Sequence, residues 1–314
     1  MKKFVVSVSL LMLMVLVGCT KETIGEGNES VNEQESIRIV TTIAQISDPI
    51  SEIGGDRVEV TSLMGPGIDP HLYQATQGDI RALQQADIIF YNGLHLEGNM
   101  GEIFANMSDS KMTFALGEVV NEDQLLLDEE GAIDPHIWFD ISLWKEALNG
   151  AVEQLKEYSP KDADYFEQNK LAYFTKLDEL QSYSVNKIGE IQESKRILVT
   201  AHDAFGYFGR MNDIEVVGLQ GLSTEDEIGI SDIQSTVDLL IERQIPAVFI
   251  ESSISDQSIK SVIEGAAAAG LEVSLGGELF SDAMGEYGTE EGTYLGMYRH
   301  NVDTIYKALI GGNE

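Results

Sequence analysis

Between Lys161 and Glu193 the chain contains no proline and one glycine, Gly189. Phe166, Tyr173, Leu177, Leu180, Ser184, Ile188 and Ile191 recur there at three- and four-residue steps, which is the helical period. Ser159-Pro160 supplies a start, with proline suited to the first turn. About 31 residues of helix would run roughly 46 Å at 1.5 Å per residue. A rod of that length in mid-chain dictates much of the rest. It predicts two bodies, one on each side, joined by a rigid spacer with little freedom to hinge.

The flanking segments fit that expectation. Short apolar, β-branched runs precede the rod at Ile37–Thr42, Val58–Met64, Ile88–Tyr91 and Thr113–Leu116. Four more follow it at Ile197–Thr200, Ile214–Leu219, Ala247–Glu251 and Leu271–Leu275. Helical patterns such as Gly78–Ala86 and Ser231–Arg243 lie between them. Buried-type strands alternating with helices predict an α/β fold with parallel sheets. The expectation is two similar lobes, residues 37–160 and 195–314, each with a mostly parallel four-stranded sheet flanked by helices. Residues 161–194 form the linking helix.

Upstream of the first strand the sequence has a different character. Lys2 and Lys3 precede an apolar run from Phe4 to Val17, the length of a secretory signal and short for a membrane span. It ends in Leu16-Val17-Gly18-Cys19, a lipobox pattern in which residues 1–18 are removed and Cys19 is lipidated. Cys19 is the chain's single cysteine, so no internal disulfide framework is available. Residues 19–36 are polar and acidic and read as a disordered tether. The expected location is the outer face of the cytoplasmic membrane, held there by the N-terminal lipid.

Charge narrows the partners. The chain has 20 basic and 53 acidic residues, a formal net charge of −33. Such a surface repels nucleic acid and anionic lipid head groups. Most of it reads as adaptation of an exposed protein to high salt or alkaline surroundings. A monomer is expected.

Chemistry concentrates in a repeated tetrapeptide. Ile-Asp-Pro-His occurs at 68–71 and again at 133–136, in a chain with five histidines and six prolines. Proline fixes its own φ and drives the preceding residue out of the helical region, so each Asp-Pro is a stiff turn that aims the following histidine. His71 follows the second strand, at the edge where open α/β sheets bind ligands. Two imidazoles on stiffened turns suit metal coordination, which demands fixed direction. His202 stands just beyond the strand Ile197–Thr200 in the other lobe. A fourth donor is expected in GGELFSDAMGEYG, where Asp282 is the better candidate and Glu278 the other. Asp69, Asp134, His95 and Glu251 are candidates for supporting positions around the imidazoles; turn formation or solvation also accounts for the acids. His300 reads as structural.

The motifs SLMGPGIDPHLYQATQGD, YNGLHLEGNM, DPHIWFD, LVTAHDAFGYFG, GLQGLSTEDEIG, VFIESSIS and LFSDAMGEYGTEEGTY occur in this order over nearly the whole folded part. In them the chain resembles the metal-binding lipoproteins of bacterial manganese/zinc ABC importers, and most closely the manganese-binding members. The resemblance implies one divalent ion per chain between two lobes joined by a long helix. It implies His71, His136, His202 and Asp282 as ligands, and delivery to a membrane permease with its cytoplasmic ATPase. Mn2+ is the expected cargo and Zn2+ the alternative. The segment 117–131 lacks the histidine-rich loop common in dedicated zinc members. Against this, several manganese-selective members carry Glu where this chain has His202, and three imidazoles with one carboxylate suit Zn2+. A metallohydrolase is disfavoured, because four protein ligands leave no open position for water and HExxH is absent. No feature of the sequence supports a surface adhesin with a specific host ligand.

Overall fold

The computed structural model describes residues 36–225 and 228–310. The lipobox, Cys19 and the tether through residue 35 lie outside them. Among the described residues no helix is long and apolar enough to cross a membrane.

The first half runs β1 (Ile37–Thr41), α1 (Ala44–Gly54), β2 (Val58–Ser62), α2 (Gln77–Gln85), β3 (Ile88–Tyr91), α3 (Gly101–Ser108), β4 (Met112–Ala115) and α4 (Ile141–Tyr158). Its strands form one sheet in the order β2-β1-β3-β4, parallel throughout. β1 and β3 lie inside the sheet, and Ile39, Ile88, Ile89 and Phe90 are buried almost completely. Local chemistry sets the helix starts. Thr76 caps α2 in a reciprocal box with Asp79, and Asp140 caps α4 through the N–H groups of Ser142 and Leu143.

Then comes α5 (Ala163–Gly189), the predicted rod. It spans 27 residues, shorter than the sequence pattern suggested, because a 3-10 turn at Pro160–Asp162 precedes it. At 1.5 Å per residue it is about 40 Å long. Phe166, Tyr173, Leu177, Leu180, Ser184 and Ile188 are all buried, as their spacing predicts. Lys170 joins the same stripe, with its ammonium on Asn149 (2.8 Å) and Glu167 (2.9 Å). The buried face packs against α1 and α4 of the first half and against the C-terminal helix α9 described next. α5 is therefore a packed core element, not a bare spacer.

The second half runs β5 (Ile197–His202), α6 (Gly206–Asn212), β6 (Glu215–Gln220), α7 (Ile230–Arg243), β7 (Ala247–Glu251), α8 (Gln257–Ala268), β8 (Ser274–Leu279) and α9 (Tyr294–Leu309). Its four strands hydrogen-bond as two parallel pairs, β5–β6 and β7–β8, where a single sheet was expected. β5 lies alongside β7, and side chains carry that junction. Val199, Ala201 and Val248 share one apolar core with α7 and α8. At the end of β5 the Glu251 carboxylate accepts the His202 N–H at 3.0 Å, replacing a ladder bond.

β8 starts three residues later than the apolar run suggested. Leu271 donates its N–H back to Ala266 (2.9 Å) and completes the end of α8, so the chain extends only from Ser274. Gly276 and Gly277 then dilute the strand signal. Glycine is required at 276, where a Cβ would stand 2.6 Å from the Phe249 ring. The shift places Glu278 inside β8 and exposed, which removes it as a ligand candidate.

Candidate metal centre

Four side chains converge at the C-terminal edges of the strands. His71 lies on the loop after β2, His136 on the turn before α4, His202 at the last position of β5, and Asp282 three residues beyond β8. Each offers one ligand atom, and the four atoms lie within 4.8 Å of one another. His71 is 4% exposed, Asp282 1%, and His136 and His202 0%. The candidates read from the sequence are thus brought together, two from each half.

The spacing is informative. His71 Nε2 is 3.3 Å from His136 Nε2, and Asp282 Oδ1 is 3.3 Å from His136 Nε2. Asp282 Oδ2 is 3.3 Å from His202 Nε2 and 3.7 Å from His71 Nε2. A four-coordinate ion with bonds of 2.0–2.1 Å separates its ligand atoms by about 3.3–3.4 Å. Both Asp282 oxygens and His202 Nε2 are buried without an aligned hydrogen-bond partner. Burying such atoms unpaired is costly. A central cation satisfies all of them.

The outward faces of two imidazoles are backed by carboxylates. Asp134 Oδ1 accepts the His136 N–H (2.9 Å) and lies 2.8 Å from its Nδ1. Glu251 holds the His202 N–H with one oxygen and lies 2.6 Å from its Nδ1 with the other. A proton held on Nδ1 leaves the Nε2 lone pair facing the cluster and raises its basicity. Burial opposes charge on His136, but Asp134 and Asp282 outweigh it and raise its pKa to about 9. Burial likewise opposes charge on His202, and Glu251 with Asp282 raises it well above the ordinary value. Burial would lift Asp282, yet His202 and His136 hold it well below the usual carboxylate range. His71 behaves oppositely: burial lowers it to about 4 against the pull of Asp282.

The supporting candidates separate. Asp134 and Glu251 back imidazoles directly. Asp69 accepts the main-chain N–H of His71 (2.8 Å), and its other oxygen takes the Thr224 hydroxyl (2.6 Å) from the second half. His95 is corrected. Left-handed backbone at Leu94 (φ 54°) and His95 (φ 67°) places it, exposed, on the wall of a separate cavity of about 550 Å3. His300 is structural, donating from Nε2 to the Glu278 carbonyl (3.0 Å).

Several residues escaped the sequence reading. Asn92 donates to the Pro135 carbonyl (3.0 Å) and Tyr207 to that of Asp134 (3.0 Å), fixing the second turn. Asn99 donates to the His71 carbonyl (3.1 Å). Trp138 sets its ring edge-on to His136 at 5.3 Å. All four lie within the motifs quoted above, but their spacing gives them no role; only the folded chain brings them to the site.

With this geometry in place, comparison with known proteins decides the family. Residues 39–308 match the family model for the zinc-uptake complex component A, periplasmic. The chain belongs to that family. It is 45% identical over 310 residues, covering 98% of this chain and 100% of the other, to the manganese-binding lipoprotein MntA of Bacillus subtilis. It is 46% identical over 271 residues, covering 86% of this chain and 88% of the other, to the zinc-binding protein TroA of Treponema pallidum. The solved structure of that periplasmic zinc-binding protein superposes with a TM-score of 0.86, covering 88% of this chain and 99% of the other at 45% identity.

Proposed function

We propose that this protein is the extracytoplasmic solute-binding component of a metal ABC importer. It captures one divalent transition-metal ion between its halves and delivers it to a membrane permease driven by a cytoplasmic ATPase. One observation carries the reading: three imidazoles and a carboxylate, buried and convergent, are supplied equally by the two halves. His71, His136, His202 and Asp282 are the ligands in this reading. Four protein donors leave no coordination position for an activated water, so the role is carriage and not catalysis. The lipobox at Leu16–Cys19 supports anchoring through a lipid on Cys19 at the outer membrane face.

Mn2+ is the proposed physiological cargo, supported by full-length similarity to a manganese-binding lipoprotein and by the absence of histidine from 117–131. A second reading, Zn2+, is favoured by the 3.3 Å ligand spacing and by nitrogen at His202. Zinc binds a given site more tightly than manganese, so equilibrium affinity alone does not identify the cargo. The test pairs uptake of both ions in cells with and without the protein with elemental analysis of protein isolated from cells supplied with both. Loss of manganese uptake and manganese in the isolated protein are expected. Zinc uptake that depends on the protein, with manganese uptake untouched, reverses the choice.

A further inference from the structure

The loop carrying Asp282 is held residue by residue. Asn301 of α9 grips both backbone groups of Phe280, accepting its N–H (2.9 Å) and donating to its carbonyl (2.7 Å). The Ser252 hydroxyl donates to the Ala283 carbonyl (3.3 Å). Both clamps belong to the same half as Asp282. Between them, the Ser281 carbonyl accepts from Gln45 Nε2 at 3.0 Å, and Gln45 belongs to α1 in the first half. Three residues further along α1, on the same helix face, Asp48 accepts the Tyr294 N–H (2.8 Å) at the far end of the same loop.

Gln45 is an odd residue for its place. It is fully buried beside Ala44, Ile46 and Ile50, and its Oε1 has no hydrogen-bond partner. The Ser281 hydroxyl is also buried without one. A half-satisfied amide in an apolar layer costs stability; an apolar side chain of similar length would relieve the unpartnered Oε1 while orphaning the Ser281 carbonyl, so the two costs offset.

We propose that Gln45 is a positioning residue for the metal centre: it fixes the Asp282 carboxylate relative to the first-half ligands His71 and His136. Asn301 and Ser252 place Asp282 within its own half, and Gln45 sets its distance from the other. The inference rests on the metal-carrier reading above. Its signature is a division of effects that a merely structural residue does not show. Loss of the Gln45 amide weakens the metal site without weakening the fold.

The experiment uses the full-length protein in detergent, stripped of metal, as wild type, Gln45→Met and Asn301→Leu. Mn2+ affinity is measured by competition, the melting temperature of the metal-free form by calorimetry, and coordination geometry by the visible absorption of bound Co2+. Removal of an outer partner typically costs roughly 10–100-fold in metal affinity. Gln45→Met is expected to lose affinity in that range, to shift the Co2+ spectrum, and to melt close to wild type, because relief of the unpartnered Oε1 offsets the one orphaned carbonyl of Ser281. Asn301→Leu is expected to lose both affinity and melting temperature, because it orphans two backbone groups. Gln45→Met with affinity within about twofold of wild type, set against that 10–100-fold range, overturns the proposal. An affinity loss accompanied by a matching fall in melting temperature also overturns it. A wild-type protein that takes up neither ion overturns the metal-carrier reading together with this one.

Discussion

The Asp-Pro-His turns at 69–71 and 134–136 share a sequence and a backbone device: in each, the aspartate accepts the N–H of the histidine two residues on. They diverge in what the aspartate does next. Asp134 turns back onto the ring of its own histidine, 2.8 Å from Nδ1. Asp69 turns away and takes the Thr224 hydroxyl from the other half. The histidines differ accordingly, with His136 raised to about 9 and His71 lowered to about 4. One motif therefore performs two tasks, tuning a ligand in one place and tying two halves together in the other. A repeated motif specifies local geometry; its surroundings specify the role.

The largest expected effect comes from removing the ligands themselves. His136→Ala and Asp282→Ala should each weaken metal binding by more than the roughly hundredfold that loss of an outer partner typically costs. His71→Ala should cost less than His136→Ala, because its ring lacks a carboxylate backing. Competition titration of the purified variants checks the order, and equal losses at the two histidines would break the comparison. Next, Asp134→Asn is expected to lose roughly 10–100-fold in affinity, and Asp69→Asn only a few-fold. Equal effects would mean that the ring contact of Asp134 is not what separates the turns.

The tie sharpens the comparison at a smaller scale. Asp69→Asn and Thr224→Val should be non-additive in thermal or chemical unfolding, with a coupling of about 1 kcal/mol, as for one partly exposed hydrogen bond. Strict additivity would remove the contact between the halves as an energetic link. A pH dependence is expected at the other junction, where Asp48 meets Tyr294. Burial raises Asp48 to about 6 despite the Tyr294 N–H. Its folded pKa exceeds the ordinary carboxylate value of 3.8, so the folded state holds the proton more tightly. The stability it contributes is fully present below that ordinary value and is lost as pH rises through about 6. Asp48→Asn, which keeps an acceptor for Tyr294, should therefore melt higher than wild type at pH 7.5, with the gap closing by pH 4.

Legibility followed the range of the interaction. α5 and seven of the strands announced themselves because period and composition are local properties. The convergence of the four proposed ligands was legible because Asp-Pro stiffens a turn wherever it occurs, and because strand ends are where such sheets bind ligands. β8 was misplaced because Gly276 answers to the Phe249 ring and Gly277 to a positive φ beside Thr304, and neither carries a strand signal. Gln45, Thr224 and Asn301 were invisible for a different reason. Gln45 meets Ser281 across 236 positions of sequence, and no short-range pattern encodes such a pairing. Glu278 and Asp282 could not be ranked firmly until the start of β8 was known.

The packing of α5 has a mechanical consequence. Its buried face is gripped by α1 and α4 on one side and by α9 on the other, and the described residues form one compact unit. Swinging the halves apart would shear that seam, whose large side chains each hold roughly 1.5–3 kcal/mol of burial. The ligand loops are held as well, 280–283 by Asn301, Ser252 and Gln45 and the 69–71 turn by Thr224, so neither the seam nor the loops yield easily. Unaided ion departure should therefore be slow, with a lifetime measurable by chase with a strong chelator.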